Sequence, residues 1–219
     1  MSENTKNVNA AEIAAKYKKK SQTADIFRRL AKNKTAMIGL IVVILLLILA
    51  LSADLLFDFE IDITKQNISD RLQAPSSDHI FGTDEMGRDI FKRVCYGAKY
   101  SLLISFVAAT ISLAIGLVFG AIAGYYGGWA DMIIMRFMDV LLAIPGTLLA
   151  IAIVASLGTS IPNLIIALSV SGIPGFSRIV RSSVLTVRDA EYIEAAKAIG
   201  ANDRIIIFGH VLPNGMAPL

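Results

Sequence analysis

Few residues of this 219-residue chain are of types that do chemistry, and their spacing excludes most of it. The single cysteine, Cys95, excludes an internal disulfide and a cysteine-based metal cluster. Neither Cys95 nor His79 has liganding neighbours, so both read as structural and no metal site is expected. No GxxxxGK(S/T) sequence occurs, so the chain has no P-loop of its own for ATP. No catalytic residue is expected, and no enzyme. Arg136 and Asp139 lie three apart in an apolar run, on one helical face near its end. They read as a structural pair or, as intramembrane charges, as a contact in a translocation path. What remains is the stretch 189–214, DAEYIEAAKAIGANDRIIIFGHVLPN, the one polar insert of substance after a series of apolar runs.

That insert reads as two short helices joined by a tight bend. Asp189 is expected to cap the first, Gly200 to stop it in a left-handed conformation, Asn202 to cap the second and Pro213 to end it. Tyr192, Ala195, Ala196 and Ile199 fall on one face of the first helix, with Glu191, Glu194 and Lys197 towards the other. Two alanines between larger apolar residues let another backbone come close.

The wording of the insert is distinctive. Glu194-Ala195-Ala196, three residues, Gly200, nine residues, then His210 with Leu212-Pro213 two places on, resembles the EAA loop of ABC-importer membrane subunits. The general pattern of that family has Ile where this chain has His210. The H-x-L-P-N variant is similar to the peptide and nickel branch. Arg71–Ser76 (RLQAPS), Phe81–Asp89 (FGTDEMGRD) and Met138–Pro145 (MDVLLAIP) resemble the same branch. The resemblance is carried by residues 54–218. It implies that this chain and a second permease subunit each form half of a path for dipeptides or oligopeptides, or for nickel or another small solute. It also implies that the 189–214 loop docks on one of two ATPase subunits, which bind the ATP, and that an extracytoplasmic binding protein delivers substrate. This chain then needs no cofactor and binds no nucleic acid. The family continues into two further spans after the loop, so a chain ending at residue 219 is expected to be truncated. An ion-coupled secondary transporter would need ionisable residues near mid-membrane and inverted repeats, and neither is seen. A membrane scaffold with a protein-binding loop is the remaining alternative.

Composition supplies the elements that position the insert. The chain is 55% hydrophobic, with a mean hydropathy of +0.62, and its apolar residues come in long runs. The fold class expected is an all-α, polytopic membrane protein with four spans. Residues 1–34 carry nine bases (Lys6, Lys16, Lys18, Lys19, Lys20, Arg28, Arg29, Lys32 and Lys34) against three acids. This net +6 tail is expected to be cytoplasmic and to lie near anionic headgroups. The first span, 35–56, is a retained anchor, because the charged region before it is too long for a cleaved signal. The segment 57–97 is expected outside, since residues 54–93 hold nine acids against five bases, a net −4. Within it Gly82 and Gly87 read as turn residues, Thr83 as a helix cap, and Arg88, Lys92 and Arg93 as carried by a separate amphipathic surface helix.

Residues 98–219 form the part of the transport core present here. Its first span, about 98–126, has a small residue every fourth place: Ala108, Ser112, Gly116, Gly120 and Gly124. Such a strip is a helix-packing face, with its partner left open between this chain and another permease. Tyr125, Tyr126 and Trp129 then mark the inner interface. The next span, about 132–157, is expected to kink at Pro145-Gly146. The last, about 162–180, starts at Pro162 and is expected to bend or break at Pro174-Gly175. Arg178, Arg181 and Arg188 signal a return to the cytoplasm, on the side where the 189–214 loop belongs. The location expected is the cytoplasmic membrane, multi-pass, with the N-terminus inside.

Overall fold

The computed structural model describes residues 30–215, and the basic residues Lys6 to Arg29, like the last four residues, lie outside them. The apolar runs form helices α1 (Lys34–Leu56), α2 (Ile90–Tyr126), α3 (Gly128–Ala143), α4 (Gly146–Leu157) and α5 (Ile161–Val187). The polar insert forms α6 (Glu191–Ala198) and a helical segment, α7 (203–215). The described residues contain no strand, only an isolated bridge between Thr83 and Asp89. The chain is an all-α polytopic membrane protein. It divides into two compact units after Ala98, inside α2.

In the first unit α1 is capped by Asn33, whose side-chain oxygen accepts from Ala36 N at 3.2 Å. Its aliphatic residues from Ile38 to Ile48 are largely exposed on the protein, as a helix facing lipid requires. Asp58 then caps a π-helical turn, Phe59–Thr64, by accepting from the N–H groups of Glu60 and Ile61. Residues 66–90 fold back on themselves. Asn67 N donates to Met86 O, Leu72 N to Asp84 O, and Thr83 N to Gln73 O, between 3.1 and 3.2 Å. Gly82 and Gly87 take left-handed conformations at φ +74° and +71°, each against backbone that leaves no room for a Cβ.

Two expectations for this loop are corrected. Thr83 does not cap a helix, because its hydroxyl is held inside the fold, accepting from Gln73 N and donating to Asp70 O. Asp89 caps α2 instead, accepting from Lys92 N at 3.0 Å. No separate amphipathic helix forms, since Lys92 and Arg93 lie in the first turn of the continuous 37-residue α2. A helix of that length rises about 55 Å and exceeds a ~30 Å hydrocarbon core, so polar ends are compatible with crossing. The basic cluster is neutralised at once: Arg88 pairs with Asp84 at 2.8 Å, Arg93 with the same carboxylate, and Lys92 with Asp62 at 2.6 Å.

In the second unit α2 and α5 pack along their length. Ser112 of α2 lies 2.8 Å from the Ser169 carbonyl of α5, Gly116 faces Phe176, Gly120 faces Ser177 and Val180, and Gly124 faces Val184. Both numbers rise together, so the helices are parallel. The chain leaving α2 at Tyr126 must therefore return to the opposite end before α5 begins. Helices α3 and α4 make that return, bent by 84° at Pro145. The bend is a full break between two helices, sharper than a kink, because Ile144 is extended and Pro145 sits at the N-cap of α4 with ψ 126°. Pro174, by contrast, neither breaks nor ends α5. The helix is held on both sides of it by α2, through Gly172 on Ser112 and through Phe176 and Ser177 on Gly116. Ser160 caps α5 by accepting from Asn163 N, which puts Pro162 in the first turn, where its missing N–H costs nothing.

Candidate functional site: a helix–turn–helix seated on two spans

The polar insert closes with a Schellman turn. Gly200 has φ +81°, its N–H donates to Lys197 O at 3.0 Å, and Ala201 N donates to Ala196 O at 3.1 Å. A Cβ at Gly200 would meet nothing within 4 Å, so its conformation alone selects glycine. Asn202 caps α7, accepting from Arg204 N at 3.1 Å. Asp189 does not cap α6. Ala190 occupies the cap position with no side-chain bond, and the Asp189 carboxylate accepts from Arg188 instead.

Helix α7 is irregular. It opens α-helically at Asp203–Ile205, widens into a π-helix at Ile206–Val211 and ends with Leu212–Gly215. Pro213 therefore lies within the last turn and does not end the helix. In a regular α-helix its ring would meet the carbonyl four residues back and leave that carbonyl without a donor. The widened turn comes immediately before it, and Asn214 Nδ2 donates to His210 O at 2.7 Å in the same region.

The insert has two faces with different fates. Ile193 and Ala196 of α6, with Ile206, Ile207, Val211 and Leu212 of α7, join a buried cluster with Ala121 of α2 and Val180 and Val184 of α5. Tyr192, Glu194, Ala195 and Ile199 are exposed, as are Ile205, Phe208 and Pro213, while His210 is half-buried. The face expected to join Ala195 to Ala196 is thus divided. Ala196 is 9% exposed and seats α6 on the spans, whereas Ala195 points away. Successive helical residues are about 100° apart, so the edge of the buried face runs between them.

The insert is also tied to the spans by polar groups. The hydroxyls of Tyr125 and Tyr126, the last two residues of α2, donate to the two oxygens of Asp203 at 2.8 and 3.2 Å. Lys197 Nζ lies 5.3 Å from the centre of the Tyr125 ring. Arg188 donates to Gly124 O at 3.0 Å, joining the ends of α5 and α2.

A second polar group joins α3 to α5. Arg181 reaches Asp131 with Nε and Nη2, each 2.5 Å from a carboxylate oxygen. Arg178 pairs with Asp139 at 2.6 Å. Asp139 therefore pairs across helices and not with Arg136, because the guanidinium on α5 reaches it directly. These four charged residues line an open cleft of ≈ 340 Å³ with Met132 and Met135. Asp131 and Asp203 were missed in the sequence. The signals were an acid at the start of an apolar run and an acid directly after a helix cap.

A helical membrane protein whose described residues hold three apolar helices long enough to cross and one bent helix pair, with a polar helix–turn–helix seated on the ends of two parallel helices, is the class these observations define. Residues 116–219 match the family described as binding-protein-dependent transport system inner membrane component. Residues 21–75 match the N-terminal TM domain of oligopeptide transport permease C, so the likeness begins well before residue 54. The chain is 48% identical to the dipeptide transport system permease protein DppC of Alkalihalophilus pseudofirmus, over 93% of this chain and 66% of that protein. It is 40% identical to the glutathione transport system permease protein GsiD of Pectobacterium atrosepticum, over 89% of this chain and 64% of that one. Against the oligopeptide transport system permease protein OppC of Bacillus subtilis the identity is 38%, over 94% of this chain and 68% of the relative. The chain belongs to the family of binding-protein-dependent transport system inner membrane components. It spans about two thirds of the length of these relatives.

Proposed function

We propose that this chain is a permease subunit of an ATP-driven importer in the cytoplasmic membrane, forming with a second permease the path for dipeptides or oligopeptides. The observation that carries the reading is the division of the 189–214 insert. One face is locked into the buried cluster on α2 and α5, and the other presents Tyr192, Ala195, Ile199, Ile205 and Phe208 uncovered. A large apolar face beside Glu191 and Glu194 fits a protein partner. Two ATPase subunits, one on each permease, supply the energy, and an extracytoplasmic binding protein delivers substrate at the other side. The chain itself performs no chemistry. It converts a displacement of α6 and α7 into movement of the spans beneath them. The printed names of the relatives, for dipeptide, oligopeptide and glutathione transport, favour a peptide cargo over nickel.

The reading is tested with Glu194→Lys and Gly200→Val in the full-length protein. Glu194 is exposed, so its reversal alters the partner-facing edge alone. Val at φ +81° is strained by about 1–2 kcal/mol or more, while Gly200→Asn tolerates that conformation. ATPase recovery and dipeptide uptake, per permease in the membrane, are expected to fall in the first two variants and stay near wild type in Gly200→Asn. Wild-type values in both Glu194→Lys and Gly200→Val would make the insert a solvated connector.

A further inference from the structure

Asp203 stands where three elements meet. Its carboxylate opens α7, accepts both hydroxyls that end α2, and lies beside the Tyr125 ring over which Lys197 of α6 extends its ammonium. The buried cluster beneath the insert is apolar, and apolar contact is non-directional: it holds α6 and α7 against the spans without fixing their angle. Hydrogen bonds from two hydroxyls to the two oxygens of one carboxylate are charge-assisted and directional. They join residues 77 and 78 positions apart. We propose that Asp203 is a positioning residue that, through Tyr125 and Tyr126, makes α2 turn with the insert, so that partner movement reaches the small-residue seam between α2 and α5.

The proposal rests on the coupling role given to the insert above. Tyr126 is mostly exposed, and Tyr125 is only partly buried, so neither bond is needed to complete a core. Tyrosine hydroxyls at the end of a span can bond water or headgroups in place of a lost protein partner. Loss of Asp203 therefore leaves the tyrosines satisfied and the helices intact, but the angle between insert and span unset. Arg188, which bonds Gly124 O, ties α5 to α2 and cannot substitute, because it belongs to neither α6 nor α7.

The experiment uses the full-length protein assembled with its partner subunits in liposomes, with radiolabelled dialanine as the transported probe. ATPase recovery, ATP hydrolysis and uptake are measured for Asp203→Asn, Asp203→Glu, the double variant Tyr125→Phe with Tyr126→Phe, and all three changes of Asp203→Asn and the two tyrosines together. The expected result is wild-type recovery of ATPase subunits, with uptake per ATP hydrolysed lowered about tenfold in Asp203→Asn and in the double tyrosine variant. The combination is expected to be no worse than either, and Asp203→Glu to recover part of the ratio. An unchanged ratio in Asp203→Asn overturns the proposal and leaves the docking role of Glu194 and Gly200 standing. Additive losses in the combined variant, or loss of the ATPase subunits from Asp203→Asn, also overturn it, because the carboxylate then acts apart from the tyrosines or as part of the docking face.

Discussion

Gly120 of α2 lies so close to Ser177 of α5 that a Cβ at this glycine would sit 2.5 Å from the Ser177 carbonyl oxygen. The obstacle is backbone, which no rotamer change removes. A Cβ at Gly116 or Gly124 would meet side-chain carbons instead, Phe176 Cβ at 2.6 Å and Val184 Cβ at 2.8 Å, so the seam is close at three successive turns. Gly120→Ala is expected to force α2 and α5 apart at a cost of about 1–3 kcal/mol. Gly175→Ala, in α5 but with open space around it, is expected to be neutral or slightly stabilising. Thermal denaturation of the detergent-solubilised full-length protein separates the two. Equal midpoints for Gly120→Ala and wild type would show that the seam is not close-packed.

The loop before α2 has a pH dependence of known sign. Burial raises the Asp84 carboxyl pKa, but the N–H groups of Arg88 and Met86 and the Arg88 guanidinium outweigh it, and the carboxyl is held at about 2, below an ordinary value of 3.8. A depressed value means that Asp84 contributes stability above pH 3.8, and that this stability is lost as pH falls towards 2. Asp89 acts in the same direction: burial raises its pKa, and His79 together with the N–H groups of Lys92 and Phe91 overrides that. Protease sensitivity of residues 57–89 is expected to rise sharply on acidification across this window. Asp84→Asn is expected to be sensitive already at neutral pH and nearly flat below it. A wild-type loop equally resistant at pH 2.5 and pH 6 would refute the assignment.

The two ion pairs between α3 and α5 differ in worth. The Arg181–Asp131 pair is partly buried and bidentate, whereas Arg178 and Asp139 are each about half exposed. Asp131→Asn is expected to cost about 1–3 kcal/mol and Asp139→Asn under about 1 kcal/mol. A double-mutant cycle of Asp131→Asn with Arg181→Gln is expected to show strong coupling, because either change alone leaves a charge without its partner. Additive effects on the denaturation midpoint would sink it.

Much of this was legible in the sequence where one local rule decides. The run 38–50 is apolar almost without a break, and α1, expected over 35–56, begins one residue earlier at Lys34. Gly200 needs only a left-handed conformation, and that follows from its place between the end of α6 at Ala198 and the cap Asn202. The small-residue strip announced a seam, but the partner stayed open until parallel α2 and α5 showed that the strip faces this same chain. What could not be read are choices made by distant groups. Thr83 has the composition of a cap, yet Gln73 N and Asp70 O claim its hydroxyl. Asp139 has Arg136 at helical spacing, yet Arg178 reaches it from another helix. Ala195 and Ala196 are adjacent in a motif, and only the burial of Ala196 in the cluster on α2 and α5 divides them.

The last prediction concerns the number of crossings. Because α2 and α5 run parallel, the bent pair α3–α4 must carry the chain back across as one broken span. A re-entrant loop would return to the side it left and would make α2 and α5 antiparallel. With three crossings, α2, α3–α4 and α5, between them in the chain, Ser76 and Ala195 are expected on opposite sides of the membrane. The basic tail of residues 1–34 and the net −4 segment 54–93 predict that Ser76 lies outside and Ala195 inside. Both positions are exposed, and the native Cys95 is buried and gives little background. A thiol reagent that cannot cross the membrane is expected to label Ser76→Cys in intact cells. Ala195→Cys is expected to react only after permeabilisation or in inverted vesicles. Reaction of both in intact cells would make the bent pair re-entrant and move the insert to the outer side. Reaction of Ala195→Cys alone would keep the four crossings and reverse their direction.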